Sequence, residues 1–107
     1  MSAQNTKEAA DHFVALLRLE PAAPKEKKRF QLVTFASEED CRFFYPRRAL
    51  PWQLQFNTYI SRSLRERFRI RVQRIAIAPA DYHTWRRDRP DTPELRREFA
   101  DSQLHLL

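Results

Sequence analysis

From Trp52 onward the apolar side chains recur at helical spacing. At about one hundred degrees per residue, Phe56, Tyr59, Ile60, Ser63 and Leu64 gather on the side of Trp52, while Arg62 and Arg65 fall opposite with Gln55 and Ser61 nearby. Pro51 suits the first turn of such a helix, because its missing N–H has no intrahelical partner there anyway. Arg67 would land in the middle of the apolar side, so the helix is expected to stop just before it. From Phe68 the period drops to two: Phe68, Ile70 and Val72 alternate with Arg69, Arg71 and Gln73, which predicts a strand with one buried face. The alternation fails at Arg74-Ile75-Ala76-Ile77, as a bulge or burial of both faces would make it do.

The flanking segments are read in the same way. Residues 5 to 19 place His12, Phe13, Leu16, Leu17 and Leu19 at helical spacing after a polar start, and PAAPKEKK at 21–28 reads as a Pro/Lys-rich linker. RFQLVTFAS and CRFFYP, rich in β-branched and aromatic residues, flank the acidic SEED at 37–40, which predicts a hairpin with a four-residue loop. A short helix starting at Ser37 is the alternative, since Ser37 followed by Asp40 resembles a capping box. Towards the end, one helix is expected from about Pro79 to Arg87. A second is expected from Asp91-Thr92-Pro93-Glu94, where an N-cap, a proline and an acidic first turn agree. The expected fold is α+β: a small antiparallel sheet of about three strands packed with helices, in the order α-β-β-α-β-α-α, forming a single domain over 1–107.

Composition changes this picture in two places. The chain has no glycine, where ordinary usage would supply about seven. Phosphate loops and dinucleotide fingerprints that depend on glycine are therefore excluded, and helix ends must do without their usual left-handed cap. Arginine outnumbers lysine sixteen to four, and its planar fork suits phosphate and carboxylate recognition. Residues 1–45 are net neutral and residues 78–107 net −1, whereas residues 46–77 carry eight arginines against Glu66 alone, net +7. The excess belongs to one helix-strand unit and its lead-in.

Other chemistry finds little support. Cys41 stands alone, which rules out a disulfide within the chain and any multi-cysteine zinc site, and its acidic neighbours oppose thiolate formation. His12, His83 and His105 lie in distant segments without metal-ligand spacing, so no metal and no cofactor is expected. Neither a membrane span nor a basic leader before an apolar stretch is present, and the expected location is the cytoplasm.

These residues predict no enzyme but a basic binding module that contacts nucleic-acid phosphates through 46–77. The candidate contacts are Arg47, Arg48, Arg62, Arg65, Arg69 and Arg71, with Trp85 and Arg86 as a further arginine-aromatic pair. Arg47 and Arg48, beside Tyr45 and Trp52, would add stacking if those rings are exposed. The alternative is a small adaptor or inhibitor, of the kind a phage or mobile element carries, docking an acidic partner protein through the same residue types. A third reading is a homodimer formed through the apolar LHLL at 104–107.

Overall fold

The computed structural model describes residues 3 to 107. Its elements are α1 (Ala3–Leu17), β1 (Arg29–Thr34), α2 (Glu38–Phe44), α3 (Leu50–Phe68), β2 (Arg71–Ala76), α4 (Pro79–Arg86), α5 (Pro93–Ser102) and β3 (His105–Leu106). The class is α+β as expected, but the sheet is mixed and its order is β2-β1-β3. β1 pairs parallel with β2 from Arg29↔Arg71 to Thr34↔Ala76, and antiparallel with β3 at Phe30↔Leu106 and Gln31↔His105.

The expected hairpin is the main error, and Ser37 explains it. Its hydroxyl accepts the N–H of Asp40 at 3.1 Å, and Glu38, Glu39 and Asp40 fill the first turn, where negative charge favours a helix. CRFF is therefore helical, burying Cys41 and Phe44. With the second strand gone, the next one arrives only after α2 and α3, and such a crossover connection makes its pairing parallel.

Both faces of β1 are covered. Phe30 and Leu32 pack with Ala10 and Val14 of α1, Phe56, Ile60 and Leu64 of α3, and Ile70. Val33 and Phe35 pack instead with Phe44, Tyr45, Ile77, Tyr82 and Phe99, in a core closed by α2, α4 and α5. β2 follows the same division: Ile70 and Val72 serve the first core, Ile75 and Ile77 the second. The broken alternation at 74–77 is thus a change of buried face within an unbroken register, not a bulge.

Three boundaries also move. α3 runs on through Phe68, because Arg67 lies exposed at its last turn with Nη1 donating to Ser63 Oγ at 3.4 Å. In α1 the buried stripe is Thr6, Ala10 and Val14, which leaves His12 exposed and Leu16 66% exposed. Ala22, in the expected linker, is buried and donates its N–H to Phe68 O at 2.9 Å.

The absence of glycine has a visible consequence. The residues with positive φ among those described are Arg18, Arg69 and Arg87, each just beyond a helix C-terminus. At Arg69 (φ 56°, ψ 32°) the left-handed turn lets its N–H reach Arg65 O at 3.2 Å, and Ile70 N–H reaches Leu64 O at 3.0 Å. No helix of the described residues is long and apolar enough to cross a membrane.

Candidate functional site

Four residues of α3, Thr58, Ser61, Arg62 and Arg65, share one stripe at i, i+3, i+4 and i+7. Their helix is held from both ends. At its start Leu50 N–H donates to Glu38 Oε2 at 2.9 Å, and at its end the left-handed Arg69 turns the chain into β2. The inner side of α3, marked by Phe56, Asn57, Ile60 and Leu64, is buried, and this rotates the polar stripe towards the outer edge of the sheet.

That edge is β2, which has no strand on its far side among the described residues. Arg71, Val72 and Arg74 meet the α3 stripe there and enclose a groove of about 650 Å³. Successive strand residues point to opposite faces, so Arg71 and Arg74 leave β2 on different sides. An unpaired edge lets both reach the same groove, an arrangement that a central strand would forbid. The expectation that Arg69 and Arg71 share one strand face is corrected accordingly. Arg69 is the helix cap, and it lines a second, smaller groove of about 300 Å³ with Lys27, Lys28, Arg29, Glu26 and Arg71. Arg71 borders both grooves and so joins them into one basic band.

Little cancels this charge. The ion pairs among the described residues are Lys28–Glu26, Arg42–Glu38 and Arg96–Asp91, at 3.3, 3.2 and 2.7 Å. None includes Arg62, Arg65, Arg71 or Arg74, and of the acidic run Glu38 is already engaged with Arg42 and with the N–H of Leu50. Arg74 Nη2 donates to Ser61 Oγ at 3.3 Å, and Arg62 sits 6.0 Å from the Tyr59 ring centre. These contacts orient the guanidiniums without neutralising them.

The remaining predicted contacts lie elsewhere. Arg47 is exposed and lines neither groove. Arg48 is part of the interior: its guanidinium lies 4.1 Å from the Tyr45 ring centre and 5.3 Å from that of Trp52. Its Nη1 donates to Gln53 Oε1 at 3.0 Å, Gln53 Nε2 to Asn57 Oδ1 at 3.1 Å, and Asn57 Nδ2 to Val33 O at 2.8 Å. Leu107 N–H bonds Arg29 O on the β3 side of β1, and two residues along each time the carbonyls point the same way. Val33 O therefore points past the short β3, and Asn57 stands in for the missing strand. Tyr45 is buried, so the expected stacking platform beside Arg47 and Arg48 does not form.

Trp85 and Arg86 border a different depression, at the turn after α4. Arg86 donates to His83 Nδ1 at 2.9 Å and to Arg89 O at 2.7 Å, while Arg89 lies 4.0 Å over Trp85 and donates to Trp85 O at 2.9 Å. Arginine here closes a helix end. Sequence reasoning also missed members of the groove itself: Thr58 and Ser61, although their spacing from Arg62 and Arg65 was readable, and Arg74, which the failing alternation hid.

Other reactive groups are held in check. Burial, and then the Glu38 carboxylate, push the Cys41 thiol up to about 11, and its Sγ lies 3.7 Å from Arg48 O. Burial and the Asp101 carboxylate raise Tyr45, whose hydroxyl donates to Asp101 at 2.9 Å. Arg96, bonded through Nε and Nη2, and the Tyr82 hydroxyl at 2.6 Å hold Asp91 well below the usual carboxylate range. Among the described residues no group of three His, Cys, Asp or Glu side chains is placed to hold a metal ion. Comparison with known protein families and with curated proteins gives no match to this chain.

Proposed function

We propose that this chain is a non-catalytic binding module whose groove between α3 and β2 grips the phosphate backbone of nucleic acid. One observation carries the reading: Arg62, Arg65, Arg71 and Arg74 converge on a single solvent-filled groove, and none has a carboxylate within ion-pair distance among the described residues. Guanidinium forks bind phosphate oxygens bidentately, whereas the hydroxyls of Thr58 and Ser61 already donate to Leu54 O and Asn57 O within α3 and line the groove as polar surface. Charges within a Debye length of about 8 Å act on a polyanion together. The competing explanation is a solvated sheet edge whose arginines merely discourage pairing with another chain. It predicts no affinity for polyanions.

Fluorescence anisotropy with a labelled 20-base-pair duplex between 50 and 200 mM NaCl separates the two. Four phosphate contacts give a log-log slope of about −3.6, a loss of roughly 150-fold over that range. Charge reversal at Arg65 and Arg71 abolishes binding, whereas reversal at the exposed Arg47 changes it by less than about threefold, because only long-range attraction is lost there. Absence of binding to duplex, single-stranded DNA and RNA at 50 mM salt refutes the proposal. So does an equal loss on reversing Arg47.

A further inference from the structure

The aromatic side chains, and not only the arginines, decide what form of nucleic acid this groove takes. We infer that it binds the backbone of a double helix and discriminates against single strands. The inference rests on the phosphate reading above and adds to it the class of ligand.

Proteins that hold single strands combine a basic channel with aromatic faces on which successive bases stack. Of the thirteen aromatic residues seven are buried, and the other six, Phe13, Phe43, Trp52, Tyr59, Phe68 and Trp85, are half-buried. Several rings have their faces occupied by the protein's own guanidiniums. Arg48 covers Tyr45 at 4.1 Å, Arg89 covers Trp85 at 4.0 Å, Arg96 covers Phe43 at 3.8 Å and Arg67 covers Phe68 at 5.2 Å. Trp52 is stacked on Phe56 at 5.1 Å with an interplanar angle of 15°. The groove itself is lined by guanidiniums, two hydroxyls and Val72, with no ring among them. An unstacked base entering it would find no aromatic ring in the lining to lie against.

What the groove does offer is two short basic rails, one from α3 and one from β2. From Thr58 to Arg65 the α3 stripe is about 10 Å long at 1.5 Å per residue, and from Arg71 to Arg74 β2 extends about 10 Å at 3.3 Å per residue. Phosphates of one duplex strand recur at about 3.4 Å along the axis, so the rails span about three of them. A double helix presents those phosphates at a fixed spacing and carries twice the axial charge density of one strand. A single strand must be ordered to match and gains no stacking in return.

The test compares three probes with the full chain at 75 mM NaCl: a mixed-sequence 20-base-pair DNA duplex, oligo-dT of 20 nucleotides, and a 20-base-pair RNA duplex. The duplexes are expected to bind at least about tenfold more tightly than oligo-dT, given the lower charge density and the smaller salt slope of single strands. Intrinsic fluorescence of Trp52 and Trp85 should stay unchanged on adding oligo-dT. Equal or tighter binding of oligo-dT, or tryptophan quenching by it, overturns the duplex inference while leaving the phosphate reading standing. Failure of all three probes overturns both. The two duplex arms distinguish a B-form from an A-form backbone, and Arg65→Glu must weaken whichever binds.

Discussion

Replacing Arg48 by alanine tests whether an arginine that builds the fold can be told from one proposed to meet a ligand. The substitution removes a charged donor from Gln53 Oε1, at 3.0 Å, and a cation from the face of Tyr45, at 4.1 Å. Gln53 is buried, so its oxygen loses its charged partner. A hydrogen bond from a charged donor contributes about 1.5–3 kcal/mol and a desolvated cation-π contact about 0.5–2 kcal/mol. Relief of the half-buried guanidinium's own desolvation offsets part of the total, and about 2–3 kcal/mol remains. For a domain near one hundred residues this lowers Tm by about 8–12 °C. The assay pairs thermal unfolding, followed by far-UV circular dichroism, with duplex binding at 20 °C. Arg48→Ala should show the full drop in Tm with an affinity within about twofold of wild type, since no phosphate contact is lost. Arg65→Ala should do the reverse: an unchanged Tm and a salt slope shallower by about 0.9. Arg48→Lys should recover less than half the loss, because an ammonium cannot stack as a planar fork does. A Tm shift under 2 °C for Arg48→Ala, or a tenfold fall in its duplex affinity, refutes this division of labour.

Two further outcomes test the packing around α4 and α5. Asp91 titrates below its unfolded value because Arg96 and Tyr82 bond its charged form, so its contribution to stability is complete above about pH 5 and fades as pH falls through about 4 and below. Urea midpoints measured from pH 3 to 7 should therefore fall less steeply for Asp91→Asn, which starts from a lower value at pH 7; parallel curves would count against the linkage. Arg87, at φ 53° and ψ −117°, occupies the first central position of a type II′ turn closed by Arg89 N–H to Arg86 O at 3.1 Å, a place glycine normally fills. Arg87→Gly should raise stability by about 0.5–1.5 kcal/mol, the relieved strain less the added freedom of the unfolded chain, and a calorimetric Tm at or below wild type would contradict it.

How much of this was legible depended on whether the deciding interaction was local. Thr92-Pro93-Glu94 announced α5 because cap, proline and dipole act within one turn, and Thr92 Oγ1 does accept Leu95 N–H at 3.1 Å. The apolar stripe of α3 was equally plain, since its period persists over many residues. The segment 38–44 was ambiguous because seven residues carry hardly two helical periods, and aromatic content outweighed a single capping serine. β3 was invisible: two residues have no periodicity, and their strand state comes from Leu107 N–H bonding Arg29 O at 2.7 Å across the chain. At the site, net charge located α3 and β2 but not the partners of each guanidinium. Arg48 and Arg65 look alike in sequence, and the contacts of Arg48 with Gln53, Tyr45 and Trp52 set it apart.

The position of β1 in the sheet bears on how the chain acquires its structure. Its parallel partner begins at Arg71 and its antiparallel partner at His105, so neither neighbour is close to it in sequence. During synthesis the strand that anchors both cores leaves the ribosome long before anything can pair with it. The backbone bonds on its other side wait for residues 105–107. High contact order of this kind slows folding and prolongs exposure of an apolar strand. Weakening the pairing of β3 with β1 is thus a kinetic intervention, felt first in the yield of folded protein.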